Sequence, residues 1–371
     1  MFRLNAIGLA VACLAASPAF ALSQGEYRFN GFGTLGITHL GGEEEGRSYG
    51  IHGQTNDSWR GDELSKLGGQ FQYGLSDRLN LTTQVTVKAE QDTWKANLEW
   101  AYLSFQATDR LTLRAGRLRI PVYMYSETLD VGFTYPWLRL PDEIYHQVQI
   151  SNYEGVDFIY SMPVSYGSVS VQAFGGQAED REQFAYDQMF DMDYKKVVGA
   201  NIKLDTHGYG SFRLAYSEAS LNMTMPHLAP LGMADVANDV KGKFTSIGHQ
   251  YDQGSWLAAS EATRLVVEGP TPTKDAFYLM GGHRFGDFLG HVTYAQLDEE
   301  NSGRQVSWTY GLNYSLTSNV VLKGEYKRVD TSDGGQGVFV QSGGEYISDL
   351  LAGTSRTFDG DIISVGLDFV F

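Results

Sequence analysis

The last twelve residues of the chain constrain it most. In Gly360-Asp361-Ile362-Ile363-Ser364-Val365-Gly366-Leu367-Asp368-Phe369-Val370-Phe371, every odd position from 363 to 371 is apolar, while 364, 366 and 368 are Ser, Gly and Asp. A period of two puts successive side chains on opposite faces of a strand, so this segment has one continuous apolar face. The pattern recurs. Val306, Trp308, Tyr310, Leu312, Tyr314 and Leu316 alternate with Ser, Thr, Gly and Asn. Leu67, Gly69, Phe71, Tyr73 and Leu75 form another such face, as do Leu79, Leu81, Thr83, Val85 and Val87 beyond Ser76-Asp77-Arg78. Mean hydropathy is −0.26, and no apolar run reaches the roughly 18 residues of a spanning helix. A chain of this kind crosses a membrane only with strands, each apolar at alternate positions.

Three copies of one hairpin turn support an up-and-down arrangement. Gly74–Leu81, Gln106–Leu113 and Ser315–Leu322 each read as a strand end, a polar tight turn and a strand start. Asp, Asn and Ser suit such turns because their side chains bond nearby backbone groups. Longer polar connections, at Gly41–Ser58, Gln177–Tyr194, Leu221–Val240 and Asp330–Thr357, alternate with the tight ones. That asymmetry belongs to a barrel with short turns on one side of a membrane and long loops on the other. The pattern predicts about sixteen strands of roughly ten residues. They fall at 26–38, 63–75, 79–89, 96–107, 110–120, 153–162, 167–176, 196–205, 210–220, 243–252, 256–267, 275–285, 288–298, 305–316, 320–329 and 360–371. Aromatic residues, 13% of the chain with 22 Tyr and 20 Phe, suit interfacial girdles.

The N-terminus reads as a signal peptide over residues 1–21: Arg3, an apolar stretch from Leu4 to Ala16, and Ala19-Phe20-Ala21 as a small-x-small cleavage site. The barrel domain is then 22–371. Removal of residues 1–21 leaves 27 basic and 44 acidic residues, a net charge of −17, and takes away Cys13, the sole cysteine. Disulfides are thereby excluded, and the charge argues against nucleic acid as a partner. No HExxH pattern marks a metal, no Gly-x-Ser-x-Gly elbow in a helical context marks a hydrolase, and no cofactor or catalytic residue is expected.

Residues 110–160 stand apart. Arg114, Arg117 and Arg119 cluster at a strand end, followed by a long connection, 121–152, that is unusually apolar and aromatic for an exposed loop. Such a segment should fold onto something. The arginine strand carries a register conflict, since Arg117 and Arg119 share parity with Leu111 and Leu113; a bulge is the expected remedy.

The terminal Phe on an alternating strand resembles the C-terminal assembly signal of outer-membrane barrels, and the whole layout resembles trimeric Gram-negative porins. In that family the third extracellular loop folds inward and narrows the pore, with its acidic residues facing arginines across the lumen. Pro141-Asp142-Glu143-Ile144-Tyr145 keeps the proline and an acid of the family's loop stretch but lacks its two glycines. The resemblance implies an all-β transmembrane antiparallel barrel with an inward third loop, acting as a diffusion pore for small hydrophilic solutes and ions. It implies a homotrimer in the outer membrane, in contact with lipid and lipopolysaccharide. Glu127, Asp130, Asp142 and Glu143 become the acidic side of a constriction and Arg114, Arg117 and Arg119 the basic side, with Arg139 unplaced. A substrate-selective channel, with Tyr123, Tyr125 and Trp137 as a lumen slide, is the alternative within transport. A non-conducting barrel, working as adhesin or enzyme through its long loops, is the alternative outside it.

Overall fold

The computed structural model describes residues 22–42, 47–90, 93–185, 188–225, 235–269, 272–340, 348, 351, 352 and 356–371, so the segment 1–21, expected to be a signal peptide, lies outside the described residues. In chain order the first strands are β1 (Tyr27–Gly41), β2 (Ser48–Tyr49), β3 (Thr55–Asn56), β4 (Lys66–Ser76), β5 (Leu79–Glu90), β6 (Thr93–Gln106), β7 (Leu111–Arg119) and β8 (Asn152–Val164). There follow β9 (Gly167–Ala185), β10 (Gln188–Thr206), β11 (Gly210–Thr224), β12 (Asp235–Gln253), β13 (Trp256–Val267) and β14 (Lys274–Phe285). The last are β15 (Phe288–Glu299), β16 (Gly303–Thr317), β17 (Val320–Ser332), β18 (Phe339–Val340) and β19 (Asp359–Val370). Sixteen of them close a barrel in which each strand pairs with its neighbours, and β19 returns to β1; β18, β2 and β3 form a separate small sheet. Each of the sixteen expected strands is present.

Closure is made by the terminal strand that dominated the sequence. Ten register pairs join β1 to β19, from Phe32↔Val370 to Gly41↔Asp361. Beyond them Gly31 and Phe371 exchange backbone bonds of 2.8 and 2.9 Å. The alternation separates the faces as expected. Ile363 and Val365 are exposed on the outside, while Ile362, Ser364 and Asp368 are buried inside. The three repeated turns share one device: Ser76 Oγ, Thr108 Oγ1 and Thr317 Oγ1 each accept a bond from the backbone N–H two residues on.

Two expected loops are corrected. Much of 177–194 and 221–240 is strand, because β9–β10 and β11–β12 continue their ladders well past the neighbouring strands. Bulges mark the change: the register shifts between Lys195 and Val198 and between Leu221 and Met223, with Lys196 and Asp239 at φ 52°. Above the lipid both faces of a hairpin are wet, so the two-residue hydrophobic period disappears while the ladder persists.

The largest apolar cluster lies inside the barrel. Trp100, Leu118, Ile120, Tyr123, Tyr125, Trp137, Ile144, Tyr153, Phe244, Tyr278 and Met280 belong to it, and they come from the connection after β7, from β6, β7 and β8 beside it, and from β12 and β14 across the lumen. Outside, Val292 lies on the lipid-facing side, between Phe288 towards one strand end and Tyr294 towards the other. Val292→Arg should lower unfolding stability by about 2–4 kcal/mol, as a charge does near the bilayer midplane. Urea titration of the refolded protein in lipid vesicles measures this.

Candidate functional site: the loop inside the barrel

The connection after β7 carries two 3-10 turns, Ser126–Thr128 and Gly132–Thr134, and one short helix, α1 (Asp142–Tyr145). Its internal backbone bonds are confined to these short turns, so the polar groups between them need partners elsewhere. The inner wall supplies them. Asn201 on β10 and Arg213 on β11 donate to the Pro121 carbonyl at 3.4 and 3.0 Å. Ser246 on β12 donates to the Val122 carbonyl at 2.5 Å. Glu261 on β13 accepts from Met124 N–H at 2.9 Å and from the Tyr145 hydroxyl at 2.8 Å. Thr293 on β15 accepts from Trp137 Nε1 at 2.8 Å, and Asn313 on β16 donates to the Pro136 carbonyl at 2.8 Å. On β17, Glu325 accepts from Leu138 N–H at 2.7 Å, and Lys323 Nζ donates to the carbonyls of Gly132, Tyr135 and Trp137 at 2.7–2.9 Å. These partners span strands β10 to β17, so the loop lies across the lumen against the wall.

Charge reinforces the fixing. Arg213 holds Glu127 with two bonds of 2.8 Å. Lys327 meets Asp142 at 2.7 Å and Glu143 at 3.5 Å, and Gln305 donates to Glu143 at 2.8 Å. Arg119 meets Asp130 at 2.5 Å and Glu99 at 3.7 Å. Burial alone would raise these carboxyls. Arg213 nevertheless holds Glu127 down at about 2, and Asp130, beside Arg119, and Asp142, beside Lys327 and His146, fall well below the carboxylate range. Arg139, unplaced from the sequence, bonds Glu63 at 2.5 Å and Thr55 at 2.9 Å, tying the loop to the connection between β1 and β4. Tyr49 of β2 lies above α1, edge-on to Phe339 of β18, and its hydroxyl accepts from Lys327 at 3.1 Å and from Gln305 at 3.2 Å. The small sheet therefore covers this part of the loop.

The sequence-derived residues divide. Glu127, Asp130, Asp142 and Glu143 do meet basic or amide groups of the wall, but mainly Arg213, Lys327 and Gln305, which the sequence reading had not singled out. Arg114 faces inward and pairs with Asp157 at 2.5 Å on the neighbouring strand rather than with the loop. Arg117 is corrected: it shares the outward parity of Leu113 and Val156 and joins Glu154 and Arg181 on the outer surface. Arg119 turns inward at the end of β7, where Leu118 and Arg119 are buried in succession and Arg119 meets Asp130 of the loop. The register break lies on the adjacent strand, where β5–β6 pairing jumps between Gln84↔Trp100 and Val85↔Leu98 and turns both Glu99 and Trp100 inward. Tyr123, Tyr125 and Trp137 are also corrected. They are buried in the apolar cluster, with Trp137 edge-on to Tyr278 and Tyr125 edge-on to Trp137, and no lumen slide is formed from them.

A closed antiparallel barrel with an apolar outer band and a loop folded across its lumen defines an outer-membrane channel. The chain belongs to the Gram-negative porin family, whose model matches residues 8–334. Solved structures similar to it include outer-membrane expressed OmpT of Vibrio cholerae, with 13% identity over 95% of this chain and 99% of that one and a TM-score of 0.61. The trimer form of in-vitro folded OmpT from Vibrio cholerae is 15% identical over 94% and 100%, with a TM-score of 0.56. An anion-selective porin from Comamonas acidovorans is 14% identical over 94% and 100%, with a TM-score of 0.60. At these identities the likeness is one of fold. No curated protein sequence matches the chain.

Two outcomes follow from the loop's attachment. Lys323→Met leaves Asp368 buried beside it without its partner at 2.7 Å, so stability should fall by about 3–5 kcal/mol. Adding Asp368→Asn should restore part of that loss in thermal unfolding. Because the folded carboxyls are depressed, their contribution is complete above the ordinary values of 4.5 for Glu127 and 3.8 for Asp142. It is lost as pH falls below these values towards the folded ones. Docking, read from the emission difference between the wild type and Trp137→Phe, should hold at neutral pH and loosen only in that acid range.

Proposed function

We propose that the chain is a passive diffusion pore of the outer membrane, exported by a cleaved signal peptide over residues 1–21 and assembled as a homotrimer. The solutes are small, hydrophilic molecules and ions, and the barrel works as a channel rather than as an enzyme. The observation that carries this reading is the loop of residues 121–152, held across the lumen by partners on β10 to β17. A barrel of sixteen strands is wide enough for an aqueous channel, and a segment fixed inside it sets the size of what passes. Glu127, Asp130, Asp142 and Glu143 on the loop, with Arg119 and Arg114 on the wall, are the charges of that constriction. The trimer form of a protein with the same fold supports the homotrimer.

A narrower, solute-selective channel is the second reading, favoured by the extent to which the loop buries the wall of β10 to β17. Saturable block of conductance by one solute would select it.

Reconstituted in a planar bilayer, the protein should insert in steps of three conducting units. Asp142→Ala with Glu143→Ala frees Lys327 and Gln305 and should change both unit conductance and ion selectivity. Folded protein that never conducts would overturn the pore.

A further inference from the structure

The small sheet stands apart from the barrel ladder. β2 and β3 belong to the connection between β1 and β4, and β18 to the connection between β17 and β19. Among the described residues these three strands pair only with one another: Ser48↔Val340 and Tyr49↔Phe339 on one side of β2, Ser48↔Asn56 and Tyr49↔Thr55 on the other. Each is two residues long. Ladders this short hold little by themselves, and such elements open at the low end of a protein's stability. Side chains must therefore hold this sheet in place.

Tyr49 does most of that. It is 0% exposed and edge-on to Phe339, in a cluster with Leu40, Val329, Phe358 and Ile362. Its hydroxyl accepts from Lys327 and Gln305, the two wall residues that bind Asp142 and Glu143 of α1. Lys327 Nζ lies 5.3 Å from the centre of its ring and the Arg139 guanidinium 6.0 Å, within the range where an aromatic face attracts a cation. One side chain thus touches both the wall, through Lys327, and the loop, through Arg139. Two bonds run beside it: Gln305 accepts from Val338 N–H at 2.7 Å, and Arg139 donates to Thr55 of β3 at 2.9 Å.

The consequence is electrostatic. Asp142 and Glu143 are both 0% exposed and share the Lys327 ammonium. A buried ion pair holds when water is excluded and its remaining polar atoms find partners; opened to water, the same contacts contribute little. Tyr49 keeps Lys327 buried and accepts one of its protons. The start of the loop does not depend on the small sheet, since the carbonyls of Pro121 and Val122 are bonded by Asn201 on β10 and Ser246 on β12.

We propose that the small sheet is a latch on the loop: through Tyr49 and Arg139 it holds α1 against β16 and β17, and its unpairing releases the Asp142–Glu143 side of α1 and changes the open size of the pore. The effect on size rests on the pore reading above. Tyr49 is a positioning residue, acting through Lys327 and Gln305.

The test uses the full-length chain with Cys13→Ser, which removes the sole natural cysteine. Ile144→Cys places a thiol at a buried position of α1, and Val122→Cys places one at a buried position near the start of the loop. With a water-soluble maleimide, Ile144→Cys should react about tenfold faster or more when Tyr49→Ala is added, the mark of local opening. Val122→Cys should react at the same slow rate with and without Tyr49→Ala. Residues directly opposite in an antiparallel pair have Cα atoms about 4.5–5.5 Å apart, within reach of a disulfide, so Ser48→Cys with Val340→Cys can lock the latch. In a planar bilayer the protein should switch between a smaller and a larger unit conductance. The oxidised double variant should stay at the smaller level and resume switching on reduction, and Tyr49→Ala should favour the larger. Resistance to detergent unfolding at room temperature verifies that each variant is folded. Equal labelling of Ile144→Cys with and without Tyr49→Ala would overturn the latch, as would equal acceleration at Val122→Cys, which is general loosening. A unit conductance indifferent to oxidation and to Tyr49→Ala would overturn its effect on the pore. Folded protein without conductance would overturn the pore reading, while the labelling contrast still decides whether the sheet holds α1.

Discussion

Within hydrocarbon no water is present to bond an unpaired backbone N–H or carbonyl, and each such group costs several kcal/mol. Closure of the barrel through β1 and β19 meets that requirement for the spanning segments, and the other main features follow from it. A closed sheet has an inside, and a period of two sends every second side chain there. With sixteen strands the inside is too wide for those side chains to fill, so another segment can enter. That segment brings its own irregular backbone to membrane depth, where the same rule applies. The inner wall answers it residue by residue: Asn201, Arg213, Ser246, Asn313 and Lys323 donate to loop carbonyls, and Glu261 and Glu325 accept from loop N–H groups. Polar side chains of the wall thus replace water as the solvent of the loop.

This arrangement explains why the loop is aromatic. A loop in water gains little from Tyr123, Tyr125, Trp137 and Tyr145, whereas inside a barrel they fill volume against Phe244, Tyr278 and Met280, while the polar atoms of Tyr123, Trp137 and Tyr145 find partners. Apolar filling and ion pairing occupy different sectors. Aromatic packing faces β12 to β15, and the ion pairs anchor Glu127 to β11 and Asp142 to β17. The β4–β5 wall meets the loop through Lys88, 3.7 Å from Asp130.

The strands were legible because lipid on one side and a polar interior on the other impose alternation. Where that contrast ends, the signal ends, and the hairpins of β9–β10 and β11–β12 looked like loops for that reason. The residues that anchor the loop were legible in part. The acids of 121–152 stood out as charges in an apolar segment, and all four meet partners on the wall. Arg213, Lys323 and Lys327 gave no local signal, since a single basic residue at an inward position of a strand looks the same whether it meets water or a loop. The assignment of Arg117 failed because β7 keeps an unbroken register with both neighbours, so Arg117 stays on the outward face of Leu113.

By itself, then, the amino-acid order determined the spanning mode, the strand count, the faces of most strands and the presence of a segment that had to fold onto something. These depend on local periodicity and on contrast with the surrounding medium, both written along the chain. Only the tertiary structure decided which wall the loop lies against and which charges it neutralises. Those outcomes depend on the closure of β19 onto β1 and on register shifts between strands, and they bring together residues up to 334 positions apart, such as Thr34 and Asp368.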